Sequence, residues 1–184
     1  MLSLLRKFRK SRKGLAAVEF AFVAPVLGVL LVGTIEVCNA LSCKQKVTSV
    51  ASTVADLVSQ TSTTSTSDLS NIFDAAAVVL FPFPSTSSKI VVTSIVSDGT
   101  GNGTVAWSQA SSGSGYTKNT AMTVPTGLMS AANCAKGACS VIFAQVTYNY
   151  TSPMGKFFLI PTQLSDYFYT RPRESALVSC TDCT

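Results

Sequence analysis

Apolar residues dominate one long stretch near the start of the chain. Residues 20–35 carry no charge, and the 21 residues from Leu15 to Ile35 contain a single acid, Glu19. An α-helix of that length spans about 31 Å, which matches the hydrocarbon core of a bilayer. The pattern therefore predicts a membrane-spanning helix.

The apolar pattern continues beyond this stretch as a stripe with four-and-three spacing. Its members are Cys43, Val47, Val50, Val54 and Leu57. This spacing places them on one face of a helix whose other face is polar. We expect one helix from Leu15 to about Ser59, about 68 Å long, with a kink at Pro25.

The remaining pattern predicts a short helix followed by strands. A Ser/Thr-rich loop over 59–68 leads to a helix capped by Ser67 or Asp68 and closed by Pro82. Strands are expected over 89–97, 104–109, 141–152 and 166–179, with "DGTGNG" as a hairpin turn and Pro172 marking a bulge or an edge. The stretch "TGLMSAANCAKGACS" is expected to be a short helix that leads into a small loop from Cys134 to Cys139. The predicted fold class is α+β: the long N-terminal helix packed on a mostly antiparallel sheet of about four strands.

Charge is concentrated at the N-terminus. Six of the 14 cations lie in the first 13 residues, with no acid among them, whereas later residues carry 8 cations and 9 acids. The positive-inside rule places this basic tail in the cytoplasm and the chain beyond about residue 41 outside it. A short tail is not a basic patch on a folded face, so we predict no nucleic-acid binding.

The six cysteines form three close pairs, and histidine is absent. Cys38 and Cys43 are about 140° apart on a helix, so we expect two buried thiols and no bridge between them. For Cys134, Cys139, Cys180 and Cys183, the extracytoplasmic location favours disulfides, whose three pairings stay open between local bonds and cross-links. A zinc site made of these four thiolates is the alternative.

Catalytic chemistry has no visible basis in the sequence. Without histidine no Ser/His/Asp or Cys/His arrangement forms, and the acids show no close carboxylate pair. No glycine-rich loop follows a strand as a phosphate site requires. We therefore expect a protein that is not an enzyme and needs no metal or cofactor.

The N-terminal stretch "RKGLAAVEFAFVAPVLGVLLVGTIEVCNAL" resembles a type IV prepilin leader and its helix. Together with "VAWSQ", "AQVTYNYTSPMG" and "TRPRES", it resembles the TadE/TadG-like minor pilins, or pseudopilins, of tight-adherence (Flp-type) pilus systems. The resemblance implies that a membrane prepilin peptidase cuts between Gly14 and Leu15. Glu19 would then pair with the new ammonium of a neighbouring subunit as an assembly charge, and Glu36 would be the second helix acid.

The resemblance also implies an organisation. Residues 1–14 would be the cytoplasmic leader, 15–41 the transmembrane helix and 42–184 an extracytoplasmic pilin-like domain, anchored in a bacterial inner membrane or incorporated in a surface pilus. Expected partners are the peptidase, other pilins and pseudopilins, the inner-membrane assembly platform and the lipid bilayer. The alternatives are an uncleaved single-pass envelope protein whose outer domain binds a ligand or partner, and a secreted protein cut after Ala40. A signal peptide's apolar region is typically shorter than this one, which argues against secretion.

Overall fold

One helix, α1, runs from Lys13 to Ser59. The structure, a computed structural model, describes residues 13–125, 127–129, 134–152 and 163–183. The helix is continuous through Pro25, so the kink expected there does not break it. The predicted helix from Leu15 to about Ser59 is confirmed.

The N-terminal half of α1 presents apolar side chains outward. Phe20, Phe22 and Leu31 are each more than half exposed. By length and composition this is the one helix in the described part of the chain able to cross a membrane. An apolar surface of this length fits a single-pass membrane protein.

The C-terminal half of α1 buries the predicted stripe. Cys43, Val47, Val50 and Val54 are fully buried. Leu57 is only half-buried, and Val58, one residue further, is fully buried instead. The four-residue step from Val54 to Val58 keeps the stripe on the buried face as the helix turns.

Helix α2 spans Thr66–Val79 after a short strand, β1, at Thr63–Thr64. Its cap is Ser65 rather than Ser67 or Asp68, because the Ser65 side chain accepts from the Asp68 N–H while the Asp68 carboxylate accepts from the Ser65 N–H. This reciprocal pair is a capping box, with the acid three residues inside the helix. The helix ends at Val79, shortly before Pro82, as expected.

The main sheet has five antiparallel strands in the order β4-β3-β2-β5-β6. The strands are β2 Ser88–Ser97, β3 Gly103–Ala110, β4 Ala121–Met122, β5 Ser140–Asn149 and β6 Gln163–Thr170. The α+β class is confirmed, with one strand more than expected, since β4 lies between the strands predicted over 104–109 and 141–152. "DGTGNG" forms the β2–β3 turn, in which the Asp98 carboxylate accepts two hydrogen bonds from Thr100.

The strand predicted over 166–179 is two separate strands. β6 ends at Thr170, and β7, Ser179–Cys180, pairs parallel with β1 in a second sheet. Proline cannot donate a ladder hydrogen bond, and the bends that follow Pro172 separate β6 from β7. Val178, just before β7, is buried, and its carbonyl accepts a hydrogen bond of 2.8 Å from the Trp107 indole.

The short helix predicted in "TGLMSAANCAKGACS" is wrong at residues 127–129, which form a turn and a bend. Residues 126 and 130–133 lie outside the described residues, and residues 134–139 form the loop that was expected. Met129 and Cys134 are buried here in a cluster with Ile95 and Phe143. These two buried side chains cover one face of the sheet.

Candidate functional site

Glu19 is an acid on the exposed, apolar half of α1. Between Leu15 and Cys43 the sequence contains no cation, and the only charged residues are Glu19 and Glu36. The Glu19 side chain is exposed, and among the described residues none forms a hydrogen bond or an ion pair with it. A carboxylate at this position in lipid needs a cation from outside the helix.

The predicted cleavage site lies in the first turn of the same helix. Gly14 is exposed, and a side chain added there would meet no atom within 4 Å. The leader up to residue 12 and the Leu15 side chain lie outside what the structure describes. Gly14 and Glu19 are separated by five residues of helix, about 7.5 Å along its axis.

Glu36 differs from Glu19 because it has a partner within the chain. It is 1% exposed, whereas its neighbours Ile35 and Val37 are about half exposed. Its carboxylate accepts a hydrogen bond of 2.5 Å from the Ser152 hydroxyl. A hydrogen bond to a charged acceptor is stronger than a neutral one, so this contact ties α1 to the segment that follows β5. The sequence offered no signal for this pairing.

Two ion pairs among the described residues connect the C-terminal half of α1 to β6 and to the segment that follows it. Lys44 Nζ lies 3.0 Å from Asp166 Oδ2 on β6. The Arg173 guanidinium pairs with Asp56, and the Arg173 N–H donates to the Ser59 carbonyl at 2.8 Å. Both pairs are part-exposed, so they add little to the free energy of unfolding. Their main effect is to fix the position of α1 against these segments.

Asp166 is held ionised by its neighbours. Burial is the largest single influence and raises the pKa, but it is outweighed by hydrogen bonds from Thr48 and Lys44, so the pKa falls below its ordinary value of 3.8. The Thr48 hydroxyl donates directly to the carboxylate. These contacts fix β6 against α1.

The four cysteines downstream of α1 lie in local pairs. The structure pairs Cys134 with Cys139 and Cys180 with Cys183, with Cα atoms 5.8 and 5.5 Å apart. Both separations suit a disulfide. The arrangement favours local bonds over a cross-link between the two pairs.

The other two cysteines divide between surface and core. Cys43 is buried, and burial raises the pKa of its thiol. Cys38 is exposed, so its predicted burial is wrong. The five-residue spacing that rules out a bridge also turns Cys38 away from the buried face.

One side-chain group in the described part of the chain has a composition suited to a metal. It consists of Cys180, Asp182 and Cys183, whose ligand atoms lie within 4.8 Å of one another. The structure pairs its two sulfur atoms with each other, and the Asp182 carboxylate accepts hydrogen bonds from Thr66. These contacts fasten β7 to the start of α2.

Aromatic residues pack against one another on both faces of the main sheet. Phe143 packs against Tyr116 and Tyr169, with ring centroids 6.0 and 4.8 Å apart. On the other face, the Phe83 ring meets Tyr148 and Tyr150 edge-on.

Comparison with known proteins adds one finding. No curated protein and no solved structure matches the chain. Residues 14–56 match the family model described as TadE-like protein, so the segment that carries Glu19 and Glu36 is TadE-like, as the sequence resemblance predicted.

Proposed function

We propose that this chain is a minor pilin or pseudopilin that takes part in the assembly of a tight-adherence (Flp-type) pilus. The observation that carries the proposal is Glu19, an exposed acid on an apolar helix in a segment that is TadE-like. A carboxylate in that setting is stabilised when a neighbouring subunit supplies a cation. The role is structural, and no catalytic step is assigned to the chain.

A prepilin peptidase would create that cation. Cleavage between Gly14 and Leu15 leaves an ammonium on Leu15 and makes Glu19 the fifth residue of the mature chain. The ammonium of one subunit then pairs with Glu19 of the next, and the match sets the axial register of their helices. The charge pair forms between subunits, whereas Glu36 is already satisfied within its own chain.

The proposed topology follows the charge distribution. The leader 1–14 lies in the cytoplasm, residues 15–41 cross the inner membrane, and residues 42–184 form the periplasmic domain. The partners are the peptidase, the other pilins and pseudopilins, and the assembly platform in the inner membrane. Mature subunits leave the membrane when they enter a filament.

The first experiment measures the N-terminus and intact mass of the chain from native membranes. We expect 170 residues beginning at Leu15, since 184 less 14 leaves 170. Gly14→Val should abolish processing, whereas the matched control Gly28→Val, at a glycine with equally open surroundings, should not. An intact N-terminus with an active peptidase would favour the uncleaved envelope protein, and a start at Leu41 would indicate secretion.

A second experiment tests the assembly charge. Glu19→Gln and Glu19→Ala should be cleaved and inserted normally but should be depleted from sheared pili and from pilus complexes. Glu174→Gln removes an exposed glutamate outside the helix and is the matched control. Normal co-assembly of both Glu19 variants would overturn the role of the acid without affecting the cleavage result.

A further inference from the structure

The sheet has one long free edge, formed by β6. This strand pairs with β5 on one side and with no other described strand on the other. The opposite edge of the sheet is β4, which has only two residues. An unpaired edge presents backbone N–H and C=O groups that can pair with another strand.

The hydrogen bonds of β6 show which residues point these groups outward. The Ser165 carbonyl accepts from Lys44 Nζ at 2.7 Å, and the Tyr167 N–H donates to Asp166 Oδ1 at 3.0 Å. Both groups therefore point away from β5. Outward groups recur every second residue in an antiparallel pair, so Tyr169 also directs its N–H and C=O outward.

The edge is thus closed in its first half and open in its second. Lys44 and Asp166 occupy the backbone groups around Ser165. Beyond them, the Tyr167 carbonyl and the N–H and carbonyl of Tyr169 have no hydrogen-bond partner among the described residues. Tyr167 is 59% exposed and Phe168 is 42% exposed, so this part of the strand is open to a partner.

A groove of about 630 Å³ lies beside the open half of the edge. Leu57 of α1, Leu128 and Phe168 give it apolar walls. Asp56, Arg171 and Arg173 are its charged lining residues, with a net charge of +1 from two cations and one acid. A partner strand would meet apolar surface with one side chain and excess positive charge with another.

A second copy of this chain does not supply the acidic side chain that the groove favours. The acid on its own β6, Asp166, already pairs with Lys44 at 3.0 Å. The charge of the groove therefore favours a different chain that carries an unpaired acid.

We propose that the Tyr167–Tyr169 edge binds an extended segment of a different protein by β-strand addition. The segment forms main-chain hydrogen bonds to Tyr167 and Tyr169 and places an apolar side chain on Phe168 and Leu57. It carries an acidic residue near Arg171, because Arg173 already pairs with Asp56. The proposal rests on the geometry of the sheet edge and does not depend on the pilus function.

Photo-crosslinking in cells tests the proposal. Tyr167→p-benzoylphenylalanine in the full chain should form an adduct with one extended peptide of another extracytoplasmic protein. Tyr169→Pro removes the outward N–H together with the ring that packs on Phe143, whereas the control Tyr169→Ala removes the ring and keeps the N–H. The adduct yield should be about fivefold lower for Tyr169→Pro than for Tyr169→Ala, as expected for one lost hydrogen bond. The control Phe81→p-benzoylphenylalanine, at a residue 75% exposed and off the edge, should be insensitive to Tyr169→Pro.

Amide hydrogen exchange gives a second measurement that does not depend on a variant. The Tyr169 amide should exchange fast in the purified chain and be protected in native membranes. Adducts formed only with a second copy or with lipid, adduct yield unchanged by a folded Tyr169→Pro chain, or equally fast exchange in both preparations would overturn the proposal. An adduct that persists in cells without other pilus components would support strand addition while weakening the pilus role.

Discussion

Asp182 accepts two hydrogen bonds from Thr66, the first residue of α2: one from the backbone N–H at 2.8 Å and one from the hydroxyl at 2.6 Å. A carboxylate at the N-terminus of a helix satisfies a free N–H group and interacts favourably with the helix dipole. The contact joins the end of β7 to the start of α2. It makes the stability of this corner depend on the ionisation of one acid.

The first prediction concerns pH. The Thr66 hydroxyl, and then its backbone N–H, lower the pKa of Asp182 from its ordinary value of 3.8. Because the folded-state pKa is depressed, the stabilisation is present above 3.8 and is lost as the pH falls through the folded-state pKa. Asp182→Asn should therefore unfold at lower denaturant than the parent chain at neutral pH, and the difference should close in acid.

Denaturant unfolding of both chains, from neutral pH to well below 3.8, measures this difference. The matched control is Asp74→Asn, which replaces an exposed acid on α2, the helix that Asp182 contacts. A difference that stays constant across the titration would show that the charge of Asp182 has no part in it.

The second prediction concerns the cysteines. Trypsin cleavage after Lys136 separates Cys134 from Cys139, so a local disulfide must hold the two fragments together until reduction. Cys180 and Cys183 should occur in one peptide that is lighter by two hydrogens. Peptides from the two regions joined to each other would instead establish a cross-link, and free thiols would contradict both arrangements.

The third prediction concerns the indole of Trp107, which is 5% exposed and donates to the Val178 carbonyl. Trp107→Phe removes the donor and leaves a buried carbonyl unpaired, which should lower the free energy of unfolding by about 1–3 kcal/mol. Because Trp107 is the only tryptophan of the chain, the variant has no tryptophan fluorescence to follow. Calorimetry or circular dichroism should therefore be used to measure unfolding. Unchanged stability would mean that the segment before β7 is held by other contacts.

The fourth prediction concerns the buried stripe of α1. Val54→Ala removes two methyl groups from a fully buried position and should cost about 2 kcal/mol of unfolding free energy. Gln45→Ala, at an exposed position of the same helix, should have little effect. Equal effects of the two variants would show that this half of the helix is not packed as described.

Periodicity made α1 predictable from the sequence. Val47 and Val54 are both fully buried. Their seven-residue spacing puts them on one face of a helix, as the apolar stripe predicted. Runs of β-branched residues on either side of a glycine-rich turn likewise indicated β2 and β3, and a long apolar segment indicated β5, each to within a few residues.

Elements and contacts without a repeat could not be predicted. β1 and β7 have two residues each, and their pairing joins positions 63 and 179. The Glu36–Ser152 hydrogen bond spans 116 residues of sequence. The Ser65 cap was missed because several Ser and Thr residues precede α2, and only the reciprocal bond with Asp68 selects one of them.

The parallel pairing of β1 with β7 also bears on the order in which the chain folds as it is synthesised. Thr64 pairs with Cys180, and the Trp107 indole donates to Val178. Because synthesis runs from the N-terminus, these contacts of β1 and of the main sheet can form only after nearly the whole chain has been made.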